Sequence, residues 1–403
     1  MNSELIPGGT ITNPRGFLAG VHFAGIKKTG HGVYDLGILY SEAPCSAAGV
    51  FTTNRIKAAP VLLSRQHLQD SRARAIAVNS GCANACTGEQ GSADAAEIAA
   101  MTARKLGLNP EEVLVASTGV IGRLLPMERV RKGLGRIVLS REAGHDLARA
   151  ITTTDTFTKE VAVKVNRQET LITVAGIAKG AGMIHPDLAT LLCFVTTDAL
   201  VDPAFLGEAL RRAIRVSFNM ITVDGDTSPN DSVIVLANGL AGNRLIQGRD
   251  ALSRAFERAL QDVCIHLARS IARDGEGATR LIQVTVDGAQ SPGQARLGAR
   301  TVAGSALVKA AVHGCDPNWG RIIAALGRSG IEFAESGVDL YLDNLCLMKS
   351  GCPQEFDPAL ARARLGEPEV AFRISLNLGR ASGAAWGCDL SEEYVTINSE
   401  YTS

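Results

Sequence analysis

The spacing of hydrophobic and polar positions predicts many short strands and a smaller number of well-marked helices. Aliphatic runs of strand length occur at 35–40, 47–53, 72–78, 112–116, 160–165, 170–178, 232–237, 281–286, 338–342 and 369–378. Helical periodicity occurs at 93–106, 126–134, 140–151, 203–216 and 250–272, and a further helix is expected after 316–321. Pro44 and Pro60 punctuate the first strands.

Terminal signals support two of these helices. Ser92 is a candidate N-cap for the helix at 93–106, and Gly107 suits the position just past its end. Asp202 and Pro203 are the N-cap and first-turn residues expected before the helix that runs to about 216. Strands and helices do not alternate regularly, so a doubly wound parallel sheet is not expected.

The domain organisation is predicted from a change of pattern near residue 280. The segment 287–300 (DGAQSPGQARLGAR) is turn-rich, and the remainder is predicted to be strand-rich. At 403 residues the chain is long for a single core, so we expect a larger domain over 1–280 and a smaller one over 281–403.

Composition excludes several classes of function. Lys plus Arg equals Asp plus Glu at 41 each, without the basic excess of a nucleic-acid or anionic-membrane surface. No apolar run reaches the length of a membrane span, and the N-terminus does not resemble a signal peptide. The nine cysteines are scattered without a CxxC pair, which favours a reducing, cytoplasmic location. The seven histidines lack metal-site spacing, so no metal is expected.

Common cofactor and catalytic fingerprints do not occur. The chain has neither GxxxxGK[ST] nor GxSxG, and neither of its two candidate GxGxxG motifs is completed. The loop 223–231 resembles a calcium loop, but Gly225 is misplaced and the twelfth position from Asp224 is Val235 rather than Glu. What remains is a set of polar, glycine-bearing loops at strand ends, where binding groups often collect. They lie around Thr118 and Gly119, at 154–156, at Lys179 and Gly180, at 224–231, at Glu276 and at 316–321.

Sequence blocks spread over most of the chain resemble the ArgJ family, the ornithine acetyltransferases (glutamate N-acetyltransferases) of arginine biosynthesis. The segment 179–192 (KGAGMIHPDLATLL) is similar to the self-cleavage motif of that family. Further similar blocks are 48–55 (AGVFTTNR), 84–88 (NACTG), 117–122 (STGVIG), 153–156 (TTDT), 222–228 (TVDGDTS), 274–279 (DGEGAT), 316–321 (DPNWGR) and 394–398 (YVTIN). Spacing alone would not single out Thr190; the resemblance does.

The resemblance implies an α+β fold of the DmpA/ArgJ-like type. This is an αββα sandwich with an N-terminal threonine nucleophile at the start of a central strand, plus a smaller α+β C-terminal domain. It also implies that the chain cuts itself between Ala189 and Thr190. The resulting chains, 1–189 and 190–403, would stay together and assemble as an α2β2 heterotetramer.

The resemblance further implies a glutamate N-acetyltransferase with a ping-pong mechanism. Thr190 would take the acetyl group of N2-acetylornithine and pass it to glutamate, with its own α-amine (pKa about 8) as the base. Thr118 and Gly119 match the positions of the family's oxyanion hole, and no metal or bound coenzyme is implied. The implied substrate-binding residues are Thr156, Lys179, Thr190, Glu276, Asn398 and Ser403. Because Asn398 and Ser403 are close to the C-terminus, the tail should fold back over the site.

Several alternatives stay open at this point. A self-cleaving aminopeptidase or amidase would share the architecture and give the acyl group to water. A non-catalytic relative would serve as a binding or structural protein, and an uncleaved chain would support that interpretation. No residue decides whether acetyl-CoA is a second acetyl donor, and a related transferase of clavulanic acid biosynthesis shares the motif. Pro229 stands where the family pattern suggests a threonine, so a pocket wall could differ there.

Overall fold

The computed structural model of the chain describes residues 3–27, 33–167, 170–185 and 191–400. Its strands are β1 (Glu4–Leu5), β2 (Phe17–His22), β3 (Leu36–Phe51), β4 (Arg72–Cys82), β5 (Val113–Val120), β6 (Lys159–Arg167), β7 (Thr170–Lys179), β8 (Leu192–Thr197), β9 (Ile221–Thr222), β10 (Ser232–Ala237), β11 (Leu281–Ala289), β12 (Asp339–Leu342), β13 (Leu345–Lys349), β14 (Cys352–Pro353), β15 (Glu369–Ser375) and β16 (Ala381–Cys388). Its helices are α1 (Ala59–His67), α2 (Gly88–Leu106), α3 (Met127–Arg136), α4 (Gly144–Ala150), α5 (Pro203–Arg215), α6 (Ala251–Arg273), α7 (Pro292–Ala303), α8 (Ala306–His313), α9 (Gly320–Gly327), α10 (Pro358–Leu365) and α11 (Glu392–Glu400).

The larger sheet is folded into two layers by its longest strand. Its order is β1-β6-β7-β8-β10-β3-β4-β5, and β2 also pairs with β3. The first half of β3 pairs with β2 and β4, whereas its second half pairs with β10. The β3–β4 register shifts between Tyr40 and Cys45, and an irregularity of this kind bends a strand.

The two halves of this sheet face each other across a buried apolar layer. Ile177, Phe194 and Ile234, on β7, β8 and β10, belong to one hydrophobic cluster with Ile76 and Leu114 on β4 and β5. All five side chains are inaccessible to solvent. Because strands from both halves contribute to it, this cluster is the interior of a β-sandwich.

Helices cover both outer faces of the sandwich. Val174, Val195 and Val233 point away from the interior cluster and pack with the helices α5 and α6. Ala77 and Val115, on the other half of the sheet, pack with α2 and α3. The order helix–sheet–sheet–helix confirms the predicted αββα sandwich.

A second sheet occupies the C-terminal part of the chain, in the order β14-β13-β12-β15-β11-β16-β9. Its edge strand β9 comes from before residue 280 and pairs in parallel with β16, where Ile221 lies opposite Trp386. Helix α6 contacts strands of both sheets, and one hydrophobic cluster extends from Val161 to Cys388. The predicted boundary lies in the connection from α6 to β11, and the division into 1–280 and 281–403 stays a prediction.

Most predicted elements are present, with corrections at their ends. Helix α2 begins at Gly88, so Ser92 lies inside it and is not its N-cap, although Gly107 ends the helix in the left-handed conformation as expected. The two strands predicted on either side of Pro44 are the single strand β3. The predicted turn region after Val286 contains helix α7, and helices α1, α8, α10 and α11 were not predicted either.

Candidate active site

The predicted oxyanion-hole residues lie where β4 and β5 end side by side. Thr118 is buried in β5, and the parallel β4–β5 register becomes irregular at Gly81 and Cys82. Gly119 has φ of +130°, and a Cβ there would lie 2.4 Å from the carbonyl carbon of Gly81 and 2.5 Å from the nitrogen of Cys82. Because backbone atoms on the neighbouring strand cannot give way, only glycine fits at this position.

Lys179 ends β7 with its ammonium against the predicted oxyanion hole. Its Nζ donates to Oγ1 of Thr153 at 2.6 Å and to Oγ1 of Thr118 at 3.3 Å, and it lies 4.0 Å from Oδ2 of Asp155. Burial lowers the pKa of Lys179, and the nearby Asp155 carboxylate opposes that effect. A residue predicted to hold substrate therefore contacts a residue predicted to hold the oxyanion.

Asp155 organises the loop and strand around this lysine. Its carboxylate accepts hydrogen bonds from the Gly180 N–H at 2.7 Å, the Thr153 N–H at 3.0 Å and Lys159 Nζ at 2.6 Å. Burial alone would raise the pKa of Asp155, but Lys179 and Lys159 outweigh it and hold the pKa at about 2. Asp155 is therefore a buried, ionised carboxylate.

Thr156 and Thr153 have different surroundings. The Thr156 hydroxyl donates to Asp274, and the Thr156 N–H donates to the same carboxylate at 3.0 Å. Lys159 Nζ lies 2.5 Å from Asp274, so this pair belongs to the same charged network as Asp155. Thr153, for which the sequence predicts no role, is the threonine of this segment that contacts Lys179. The substrate-binding role predicted for Thr156 stays a prediction.

Glu276 lies next to the glycine turn that follows Lys179. Its N–H donates to the Ala181 carbonyl at 3.0 Å, and a Cβ added to Gly182 would lie 2.5 Å from its carboxylate. Asn398 Nδ2 donates to Oε2 of Glu276 at 2.9 Å from helix α11. Two of the predicted substrate-binding residues, far apart in the chain, are therefore in direct contact.

The C-terminal segment is fastened to the loop that carries Glu276. The Ser391 hydroxyl donates to the Gly277 carbonyl at 2.6 Å, and the Thr279 N–H donates to Asp389 at 2.8 Å. These contacts hold the start of α11 beside the loop that carries Glu276, and the return of the tail over the active site stays a prediction. Ser403 lies outside the described residues.

The predicted cleavage residues Ala189 and Thr190 also lie outside the described residues, but their C-terminal neighbour does not. The Leu191 N–H donates to Oδ1 of Asp231 at 3.0 Å, and Leu192 pairs with Lys179 across the β7–β8 ladder. Burial raises the pKa of Asp231 well above its usual range. The chain just after Thr190 is therefore anchored beside Lys179.

The loop 223–231 supports this arrangement from another side. Asn230 Nδ2 donates to the carbonyls of Ala83 and Ser117, at 2.6 and 2.8 Å, and so ties the loop to the ends of β4 and β5. The Pro229 carbonyl accepts the Ala58 N–H at 3.0 Å. Pro229 thus faces α1 through its backbone, and its predicted effect on a pocket wall stays untested.

Among the residues that the structure describes, no helix is both long and apolar enough to cross a membrane. In the same part of the chain, no group of three or more His, Cys, Asp or Glu side chains is arranged to hold a metal ion.

Buried lysines, a buried ionised carboxylate and threonine hydroxyls meet at strand ends of an αββα sandwich, an arrangement typical of an enzyme's active site. The chain belongs to the ArgJ family, whose model matches residues 18–403. It is 54% identical over 400 residues to the arginine biosynthesis bifunctional protein ArgJ of Dehalococcoides mccartyi, with 99% of each chain covered. The ArgJ protein of Symbiobacterium thermophilum gives the same identity and coverage. A crystal structure of ArgJ from Bacillus halodurans is 45% identical, with a TM-score of 0.51, and covers 52% of this chain and 98% of its own.

Proposed function

We propose that this protein transfers the acetyl group of N2-acetylornithine to glutamate after cutting its own backbone between Ala189 and Thr190. It is an acyltransferase of arginine biosynthesis, as its membership of the ArgJ family and its similarity to ArgJ proteins over nearly the whole chain establish. One observation carries the proposed site. Lys179 at the end of β7 contacts Thr118 in β5, and Leu191, just before β8, lies beside Lys179.

The first step would create the catalytic base. Thr190 Oγ1 attacks the Ala189 carbonyl carbon, the C–N bond breaks as its nitrogen gains a proton, and water then hydrolyses the resulting ester. The Thr190 nitrogen changes from a non-basic amide into an α-amine with a pKa of about 8. The crystallised ArgJ chain from Bacillus halodurans supports such a cut, because nearly all of it aligns with only about half of this chain.

The second step would be acetyl transfer by the same oxygen. Thr190 Oγ1 attacks the acetyl carbonyl and passes its proton to the α-amine, while Thr118 and Gly119 hold the oxyanion. Collapse of the intermediate transfers that proton to the ornithine nitrogen, which leaves, and an acetyl ester stays on Thr190. The neutral α-amine of glutamate then attacks the ester carbonyl, and the Thr190 α-amine takes a proton from the attacking nitrogen. That proton passes to Thr190 Oγ1 as the acetyl C–O bond breaks and N-acetylglutamate leaves, so donor and acceptor use the site in turn.

The surrounding residues would select amino-acid substrates. Glu276 offers a carboxylate to a substrate ammonium group, and Asn398 orients that carboxylate by donating to it. Lys179 and Ser403 offer donors for an α-carboxylate. Thr156, whose hydroxyl donates to Asp274, offers that oxygen as an acceptor for a substrate N–H. The cycle needs no metal or bound coenzyme.

Intact-mass analysis of wild type and Thr190→Ala, with and without N2-acetylornithine, tests the proposal. We expect two chains for wild type, one chain for the variant, and one added acetyl group on the chain that begins at Thr190. An uncut wild-type chain with full transferase activity would refute the mechanism. Acetyl-CoA in place of N2-acetylornithine tests whether it is a second donor.

The state of the protein in the cell is a further part of the proposal. We propose that the two cleaved chains remain associated as an α2β2 assembly in the cytoplasm. Native mass spectrometry of the purified protein measures that assembly directly. A mass equal to one copy of each chain would contradict it.

A further inference from the structure

A line of buried charges of alternating sign ends on the predicted oxyanion threonine. We name it the buried charge relay; it consists of Asp274, Lys159, Asp155 and Lys179. Lys159 Nζ lies 2.5 Å from Asp274 and 2.6 Å from Asp155, and Lys179 Nζ lies 4.0 Å from Asp155. From Lys179 the line continues through a hydrogen bond of 3.3 Å to the Thr118 hydroxyl.

Each member of the relay depends on its neighbours for its charge. The side chains of Lys159 and Asp155 are 0% exposed, and those of Asp274 and Lys179 are 2% and 4% exposed. A buried charge is costly unless an opposite charge and hydrogen bonds compensate it. With two lysines and two aspartates the relay is neutral as a whole, so removal of one charge leaves its neighbours uncompensated.

The contacts of Lys179 limit what it can offer to a substrate. An ammonium group has three N–H donors. Thr153 and Thr118 take two of them, at 2.6 and 3.3 Å. At most one donor therefore remains for a substrate carboxylate, whereas the Thr118 oxygen already accepts a hydrogen bond from a cation.

We propose that the buried charge relay consists of positioning residues that hold Lys179 on Thr118 and so strengthen the oxyanion hole. A hydroxyl that accepts a hydrogen bond from a cation donates its own proton more strongly, because hydrogen bonds in a chain polarise one another. The Thr118 proton is thereby directed to the oxygen that gains charge in the transition state. This inference rests on the proposed function and assigns Asp155, Lys159 and Asp274 a role in it.

A donor without the amino-acid part of the substrate separates oxyanion stabilisation from substrate binding. p-Nitrophenyl acetate has an acetyl carbonyl but neither an α-carboxylate nor an amine. Substitution of a residue that only binds the ornithine part should not change the rate of acetylation by this ester. Substitution of a residue that supports the oxyanion hole should lower that rate. The rate is measured as the burst of p-nitrophenol, normalised to the amount of chain that begins at Thr190.

Asp155→Asn is the central variant, and Asp339→Asn is its matched control. Asp339 is also a nearly buried carboxylate, 5% exposed, with a lysine partner (Lys349) at 2.6 Å, but it lies in the second sheet. We expect Asp155→Asn to slow acetylation by both donors on the order of ten-fold, the loss of a charge-assisted contact. Asp339→Asn should leave both rates unchanged.

A spectroscopic measurement checks the same cause. The carbonyl stretch of the 13C-labelled acetyl ester shifts to lower wavenumber in a strong oxyanion hole. We expect this shift to decrease in Asp155→Asn and to be retained in Asp339→Asn. Because the amount of acetyl ester is known from its mass, the spectrum does not depend on the rate of turnover.

Two results would overturn the inference. One is a loss with N2-acetylornithine but an unchanged burst with the ester, since the relay would then serve substrate binding only. The other is an unchanged carbonyl stretch. If Asp155→Asn does not fold, Asp274→Asn at the far end of the relay takes its place and should give the same pattern with a smaller loss. A wild-type ester burst in Asp274→Asn would also refute the inference. Wild type that is never acetylated on Thr190 would instead contradict the proposed function.

Discussion

Substitution of Gly182 tests whether the Glu276 carboxylate lies in the substrate-binding site. An alanine Cβ at this position would lie 2.5 Å from Oε2 of Glu276, 2.6 Å from its Cδ and 2.7 Å from Oε1. The backbone of Gly182 is not in the left-handed region, so alanine itself is tolerated. The carboxylate must retreat by about 1 Å to reach ordinary van der Waals distance. That movement would break its 2.9 Å hydrogen bond from Asn398.

The expected effect of Gly182→Ala is on substrate binding rather than on stability. The displaced carboxylate would no longer meet the substrate ammonium group. Loss of such a charge-assisted contact is worth about 1.5–3 kcal/mol, which corresponds to roughly 10- to 150-fold in KM for N2-acetylornithine. The free energy of unfolding should change by less than about 1 kcal/mol, because the obstacle is the far end of a flexible side chain.

Steady-state kinetics with N2-acetylornithine and burst kinetics with p-nitrophenyl acetate measure this effect. KM should rise for the amino-acid donor, whereas the ester burst should stay at the wild-type rate. Gly135→Ala is the control, since an added Cβ there meets nothing within 4 Å. A wild-type KM in Gly182→Ala would refute the placement of Glu276 in the substrate site.

Two further predictions concern buried charges and use the uncut Thr190→Ala chain, so that unfolding involves one polypeptide. Lys159→Met leaves Asp155 and Asp274 without their shared cation and should lower the free energy of unfolding in urea by about 3–5 kcal/mol; a loss below about 1 kcal/mol would contradict this. Burial raises the pKa of Asp231 above the ordinary value of 3.8, so the folded state binds more protons than the unfolded state. The contribution of Asp231 to the stability of the Thr190→Ala chain should therefore fall as pH rises above that value. Asp231→Asn should remove this part of the pH dependence, and parallel stability profiles for the two proteins would refute it.

The sequence predicted strands and helices best where local signals and tertiary packing agree. Asp202 accepts a hydrogen bond from the Phe205 N–H, as a helix N-cap should, and α5 begins where it was predicted. The glycines of the segment after Val286 hid the start signal of α7, although Ser291 caps that helix and Pro292 follows it. The bend in β3 could not be predicted, because an irregular register depends on the partner strand.

The candidate site was predicted from the family resemblance, and its internal contacts could not be. Lys179 and Thr118 were expected to share a pocket, but their direct contact depends on which faces of β5 and β7 meet. Asp155 and Asp274 were visible within similar blocks of sequence, yet spacing does not reveal that Lys159 joins them. Which charged residues pair over a long distance in the sequence depends on the fold, so a local sequence pattern does not predict it.

The strand order has a consequence for the order in which folding and the proposed cut would occur. β8 and β10 belong to the part after the proposed cut, but they lie between β7 and β3, which belong to the part before it. The strands of the two parts therefore alternate in one sheet. Separating the parts would break the β7–β8 and β10–β3 hydrogen bonds and expose the apolar layer between the two halves of that sheet. An uncut chain would be needed to bring these strands into one sheet, and the link between the two parts would no longer be needed once the sheet has formed. The proposed cut would therefore have to follow folding, and the peptide bond before Thr190 would be needed only until the strands have paired.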